Sequence, residues 1–138
     1  MIDPPAIALR RRANELHAAS AREMSKDVDT AALLLFYATE CGLKSVYMIQ
    51  NNLKHTGESR GRAVAARSFV HDILAICVAL NIPSSAYKPI PIFKISRTSA
   101  TTNVSNLHQA WRYGEKIDDA TGVSQWLSRL MEWVKANR

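Results

Sequence analysis

The apolar positions of the chain are most concentrated between residues 31 and 50, AALLLFYATECGLKSVYMIQ. Residues 33–36 cover every direction around one helical turn, and a helix that is apolar on all sides is usually buried. A transmembrane helix needs about 18 or more uninterrupted apolar residues. Glu40 and Lys44 end the run well short of that, so the pattern predicts the central helix of a soluble domain.

Glu40 and Lys44 are four residues apart on this helix, with the acid nearer the N-terminus, which is the favourable orientation for an ion pair. The apolar residues around them predict that the pair is partly buried. A half-buried charge pair is either a device that fixes the packing or part of a polar site. Upstream, Asp27 and Asp29 are both suited to accept hydrogen bonds from the first turn of the helix.

The flanking patterns predict further helices on both sides. Pro4 and Pro5 fit the first turn of a helix that runs over about residues 5–24. Apolar residues at helical spacing predict another helix over residues 63–80, and Pro83 prevents its continuation.

Three prolines in residues 82–105 exclude a regular helix in that segment. A connection of this length is either functional or a plain covering of the core. A short helix over residues 106–113 follows, and the last helix begins between Asp118 and Thr121. We therefore expect residues 1–138 to form a single all-α domain.

The net charge of +6 permits attraction to phosphate groups without requiring it. Basic side chains cluster in the first helix and in the glycine-containing loop over residues 54–62, which we expect to be exposed and mobile. The solvated surface of any helix or loop is the alternative for both clusters. The candidate nucleic-acid contacts are Arg10, Arg11, Arg12, Lys54, Arg60 and Arg62.

Cys41 and Cys77 lie in apolar helical stretches without a CxxC partner, which predicts two buried, reduced thiols. The first residues, MIDPPAIALRRR, lack the apolar core of a signal peptide. These two observations predict a cytoplasmic protein with no membrane segment.

The motifs of most common enzyme classes are absent from the sequence: it contains no P-loop, HExxH, GxSxG or Rossmann glycine pattern. What remains is Arg67 and His71, four residues apart and so on one face of the predicted helix, with Asp72 next to them. A histidine that moves the 2′-hydroxyl proton and an arginine that holds the phosphate can cleave RNA without a metal. The alternative is that His71 and Asp72 only form hydrogen bonds within a helical bundle.

The other three histidines give weaker indications of a functional site. His17 shares a helix face with Arg10, at a distance of roughly 10 Å along the axis. His55 in a loop and His108 on a short helix are expected to be structural or solvated. Four histidines without supporting cysteine or acid spacing predict no metal site, and no cofactor is expected.

The segment Tyr37–Val46, YATECGLKSV, resembles the recurring aromatic, alanine, glutamate and leucine-lysine pattern of the HEPN superfamily of small helical domains. His71 and Asp72, after a glycine-containing loop, are similar to the histidine-aspartate start of a later helix in that family. Arg112 and Tyr113 resemble the arginine-tyrosine pair before its closing helix. The order and approximate spacing of the three motifs agree over about residues 28–135.

This resemblance implies an up-and-down bundle of four to five helices, in which the long proline-containing loop expected from the sequence precedes the last two helices. It also implies a homodimer and a role with RNA in toxin–antitoxin or antiviral defence systems, with RNA or a cognate protein such as an antitoxin as partner. Catalytic members resemble metal-independent RNases that have four to six residues between an arginine and the histidine, whereas only three residues lie between Arg67 and His71. A polar network of Glu40, Lys44, Asp72, Arg112 and Tyr113 is expected around them. Members without the motif resemble non-catalytic interaction or scaffold domains, and that alternative stays open.

Overall fold

The computed structural model describes residues 2–138 and contains six α-helices, with no β-strand among those residues. The expectation of an all-α protein is therefore confirmed. Two 3₁₀ turns, Ala66–Phe69 and Val104–Asn106, lie between the helices. The helices are α1 (Ala6–Glu23), α2 (Val28–Gln50), α3 (Ile73–Ala79), α4 (Ser84–Tyr87), α5 (Leu107–Arg112) and α6 (Ala120–Asn137).

Helix α2 is the centre of the fold, as predicted, and contacts α1, α3, α5 and α6. The Asp27 carboxylate accepts hydrogen bonds from the backbone N–H groups of Asp29 and Thr30 and so caps the helix. By length and composition α2 could cross a membrane, but 67% of its most apolar window is buried inside the protein. Its apolar surface is thus largely covered by the other helices.

Helices α2 and α6 pack closely at Gly42. A Cβ atom placed on this residue would lie 2.9 Å from Cγ1 of Val134 and 3.5 Å from Sδ of Met131. The absence of a side chain at Gly42 therefore permits the close approach of the two helices. On the α6 side, Trp126 is buried and donates a hydrogen bond from Nε1 to the Tyr87 carbonyl at 2.7 Å, which attaches α4 to α6.

The prediction of one helix over residues 63–80 is wrong in its first half. A 3₁₀ turn covers Ala66–Phe69, Val70 has a left-handed φ of 54°, and only Ile73–Ala79 is α-helical. Lys44 Nζ binds the Val70 carbonyl at 2.6 Å. Asp72 then starts α3 by accepting a hydrogen bond from the Ala75 N–H. These two contacts provide partners for backbone groups at the break between the turn and α3.

The prediction that residues 82–105 contain no regular helix is also incorrect. Pro83 is the N-terminal cap of α4, and the 3₁₀ turn Val104–Asn106 leads into α5. Between them, the isolated pairing of Lys94 with Thr101 closes a loop. Proline is compatible with a helix start, which is why this short helix forms beside it.

Candidate functional site

The Glu40–Lys44 ion pair lies at the centre of a polar cluster on α2. Lys44 Nζ is 2.8 Å from Glu40 Oε2, and the two side chains are only 13% and 8% exposed. The predicted partial burial of this pair is confirmed. The second hydrogen bond of Lys44, to the Val70 carbonyl, connects α2 to the turn before α3. The ion pair thereby helps to fix the position of Val70, the residue directly before His71.

The His71 ring binds the same carboxylate. Its Nδ1 is 3.1 Å from both Oε1 and Oε2 of Glu40, and its side chain is 36% exposed. Because a carboxylate only accepts hydrogen bonds, Nδ1 must be the donor. In the neutral ring the proton then sits on Nδ1, and Nε2 carries a lone pair that can take a proton from a ligand.

A second imidazole, that of His108 on α5, lies against the first. The two ring centroids are 3.9 Å apart with planes tilted by 42°, and the His108 ring is stacked on Phe36 at 5.7 Å. His108 is only 4% exposed, and its Nδ1 makes no hydrogen bond of acceptable geometry within residues 2–138. Burial, followed by the charge of His71, lowers the pKa of His108. His108 is therefore held in its neutral form beside His71.

Arg67 and His71 do not share a helix face, which corrects that expectation. The break at Val70 separates them, and a Cβ atom on Gly57 would lie 2.9 Å from Cζ of Arg67 and from Oδ2 of Asp3. The pKa of Asp3 is lowered chiefly by the hydrogen bond from Thr56, and the charge of Arg67 adds to this effect. Arg67 thus lies beside the N-terminal segment, whereas His71 faces Glu40.

Asp72 is next to His71 in the chain, but its carboxylate faces a different space. It caps α3 and lines an open cleft of about 390 Å³ between α3 and the segment that leads into α5. Its membership in one polar network with Glu40 and Lys44 is not supported by any hydrogen bond between these side chains. Asp72 instead belongs to the lining of this cleft.

Arg112 and Tyr113 lie at the end of α5, beyond the two histidines. The Arg112 guanidinium is 5.4 Å from the centroid of the Tyr113 ring, and the Tyr113 side chain is largely exposed. The positive charge of Arg112 contributes to the lowered pKa of His108, after burial and His71. The charge of Arg112 therefore acts on His108, the buried ring of the pair.

The six basic residues expected to contact nucleic acid are exposed but lie in two separate places. Arg10, Arg11 and Arg12 are on α1, where Glu15 pairs with the last two. Lys54, Arg60 and Arg62 are in the loop after α2. That loop is held by a hydrogen bond from buried Thr56 to Asp3, at 2.6 Å.

Both cysteines are free thiols, as predicted. Cys77 is buried and Cys41 is partly buried. Burial raises the pKa of Cys41 to about 11 and that of Cys77 to about 12. Neither thiol is therefore a thiolate nucleophile at neutral pH.

Sequence reasoning missed the position of His108. A signal was present, since apolar residues surround it on α5, and a histidine on an apolar helix face is expected to be buried. Its contact with His71 depends on the path of the segment between α4 and α5, which no local pattern defines. Among residues 2–138, no group of three His, Cys, Asp or Glu side chains is arranged to hold a metal ion.

Comparison of the chain with protein-family models, with curated proteins and with solved structures finds no match.

Proposed function

We propose that this protein is a HEPN-like, nucleic-acid-associated accessory or defence module whose His71 site cleaves RNA without a metal ion. The observation that supports this proposal is the Glu40–His71 pair. The Glu40 carboxylate accepts a hydrogen bond from Nδ1 of the ring. The lone pair on Nε2 of this partly exposed ring is therefore available as a base. A carboxylate that orients a histidine in this way is a recurring arrangement in acid–base catalysis.

In the proposed reaction, Nε2 of His71 takes the proton from a ribose 2′-hydroxyl. The 2′-oxygen forms a bond to the adjacent phosphorus, the bond to the 5′-oxygen breaks, and that oxygen takes a proton from water. The hydroxide that remains takes the proton back from His71, which returns the ring to its neutral form. The products are a 2′,3′-cyclic phosphate and a 5′-hydroxyl. Arg112, at the end of the helix that carries His108, supplies positive charge for the phosphate in place of Arg67, which lies beside Asp3 and Gly57.

His108 is a positioning residue in this proposal. It is too buried to reach RNA, but it is packed against the His71 ring, and its neutral form avoids charge repulsion with a protonated His71. The cluster therefore supports one exposed base backed by a carboxylate and an uncharged ring.

The finer architecture and setting also belong to the proposal. An up-and-down bundle is supported by the short connection between α1 and α2, which brings two long helices side by side.

We propose a homodimer in the cytoplasm, acting on RNA or with a cognate protein such as an antitoxin. Light scattering of the purified protein measures the oligomeric state directly, and a strict monomer would contradict the homodimer.

The test of the proposed activity is incubation of the purified protein with total RNA in the presence of EDTA. We expect fragments that end in a 2′,3′-cyclic phosphate, and we expect His71→Ala to abolish them while its circular dichroism spectrum is unchanged. The matched control is His17→Ala, because the charged groups that act on His17 are Lys135 of α6 and Arg138, neither of which belongs to the site. Cleavage that persists in His71→Ala would overturn the assignment.

A non-catalytic interaction or scaffold domain is the second candidate. It is favoured by the fact that Glu40 is already bonded to both Lys44 and His71, so the network is complete within one chain. Binding of RNA without cleavage at high protein concentration would support this candidate. RNA binding should weaken steeply as salt is raised, and a flat salt response would argue against phosphate contacts.

A further inference from the structure

The cleft behind the His71 turn has a defined chemical character. One wall belongs to α3 and the other to the segment before α5, and its volume is about 390 Å³. This volume is within the range of small-molecule sites in proteins. The lining combines hydrogen-bonding and apolar side chains and comprises Asp72, Leu74, Ala75, Val78, Phe93, Thr102, Asn103, Val104 and Ser105.

Two residues of the cleft lining connect it to the histidine pair. Asp72 directly follows His71 in the chain, and the carbonyl of Ser105 is close enough to His108 to influence its pKa. A ligand that extends from the cleft toward the histidines therefore passes from a carboxylate to an exposed imidazole. An RNA strand has this form, with a base on one side and a phosphate within one nucleotide of it.

The charge of Asp72 determines which part of a nucleotide can occupy the cleft. A carboxylate repels a phosphate, so the occupant must be an uncharged group with hydrogen-bond donors. The hydrogen bond that caps α3 uses one lone pair of Oδ1 of Asp72, so Oδ2 and the second lone pair of Oδ1 can both accept from a ligand. The apolar side of the cleft includes Val78, whose side chain is 67% exposed and is suited to contact a flat ring.

We propose that this cleft is a subsite for a guanine base of the RNA substrate, with Asp72 as the residue that determines specificity. Among the RNA bases, guanine presents two adjacent donors, N1–H and the 2-amino group, which one carboxylate can accept together. Asn103 and Thr102, which also line the cleft, supply an amide and a hydroxyl for its remaining polar edge. This subsite rests on the proposed RNA-directed function.

The first experiment measures binding rather than cleavage, so that the subsite is tested separately from catalysis. Isothermal titration with guanosine, inosine, adenosine, cytidine and uridine monophosphates should show the tightest binding for the guanosine form. Inosine monophosphate lacks the 2-amino group, so it should bind several-fold more weakly. Equal affinity for all five nucleotides, or no binding of the guanosine form at millimolar concentration, would overturn the proposal.

The second experiment is Asp72→Asn, since asparagine keeps the helix cap but replaces an acceptor oxygen by a donor. We expect a loss of guanosine monophosphate affinity of about tenfold or more. The matched control is Asp119→Asn. Asp119 caps α6 through the Gly122 N–H at 3.1 Å, the distance at which Asp72 caps α3, but lies outside the cleft. An equal loss in both variants would contradict a role of Asp72 in recognition.

Competition distinguishes guanine in RNA from a free guanine nucleotide. A short RNA with a single guanosine should displace bound guanosine monophosphate, whereas the same RNA with adenosine at that position should not. Failure of the RNA to compete would overturn the assignment of the cleft to the RNA substrate. Cleavage without base preference, unchanged by Asp72→Asn, would leave the proposed function in place and remove only the subsite. Guanosine-specific binding without any RNA cleavage would support the subsite and contradict the proposed RNase activity.

Discussion

The imidazole rings of His71 and His108 lie with their centroids 3.9 Å apart, one partly exposed and the other buried against Phe36. Glu40 binds only the first ring through a hydrogen bond. His71 and His108 therefore have different surroundings and different roles, although their rings are in contact. The partly exposed ring is oriented by a carboxylate, while burial lowers the pKa of the other ring and keeps it uncharged.

The first prediction concerns acid stability. Burial and the charge of His71 lower the pKa of His108, so the unfolded chain binds a proton more readily than the folded protein does. Its contribution to stability is complete above the unfolded pKa of about 6.5. It is lost as the pH falls toward the folded pKa, by at most about 1.4 kcal/mol per pH unit. Urea unfolding at pH 7.5 and 5.5 measures this loss.

The variant His108→Phe should reduce that pH dependence, because phenylalanine keeps a ring against Phe36 but cannot be protonated. The pKa of His17 is lowered by burial and by the charges of Lys135 and Arg138, so His17 accounts for a separate part of the pH dependence of stability. Adding His17→Gln should therefore flatten the profile further. An unchanged loss of stability in His108→Phe would show that His108 is not the group responsible.

The second prediction concerns the ion pair on α2. Glu40→Gln leaves the Lys44 ammonium in a place where only 13% of its side chain is exposed, so we expect a loss of about 3 kcal/mol in the free energy of unfolding. Adding Lys44→Met should recover at least half of the loss, because the unpaired charge is then removed. Chemical denaturation of both variants provides the measurement.

The control for this pair is Glu15→Gln on α1, where the exposed carboxylate lies 3.3 Å from Arg12. An exposed pair contributes little, so the change should be below about 0.5 kcal/mol. Similar losses for Glu15→Gln and Glu40→Gln would contradict the view that burial makes the α2 pair important.

The third prediction concerns the turn before His71. Val70 has a φ of 54°, which is unfavourable for a β-branched residue. Glycine adopts this conformation without steric cost, so Val70→Gly should stabilise the protein by about 1 kcal/mol after its greater chain entropy is subtracted. Val70 is 60% exposed, so little packing is lost. Thermal unfolding gives the change directly.

The matched control is Val78→Gly, because Val78 is similarly exposed but has helical backbone geometry in α3. Here glycine should destabilise the protein by about 0.3–0.5 kcal/mol, since valine is itself a weaker helix former than alanine. The two valine-to-glycine changes should thus have opposite signs. If both destabilise the protein, the conformation of Val70 stores no strain.

The sequence was most informative where interactions are local. Glu40 and Lys44 are four residues apart on a helix whose apolar pattern is unambiguous, so their contact and burial were predictable. The pairing of Arg67 with His71 was not, because the apolar periodicity continues across the break at Val70 and hides it. The contact of His71 with His108 joins distant parts of the chain through a segment rich in proline and polar residues. Such a contact depends on tertiary packing, which spacing alone does not determine.

The last prediction separates the two arginines considered for the phosphate. Arg112→Ala should lower kcat/KM for RNA cleavage at least tenfold and reduce the slope of log binding constant against log salt by about one, since one phosphate contact is lost. Arg67→Ala should leave kcat/KM within about threefold but destabilise the protein, because Arg67 lies beside Asp3 and Gly57. Arg112→Lys keeps the charge but not the paired N–H donors of the guanidinium, so its kcat/KM should lie between those of Arg112→Ala and the unmodified protein. A larger kinetic loss in Arg67→Ala than in Arg112→Ala would return the phosphate-binding role to Arg67.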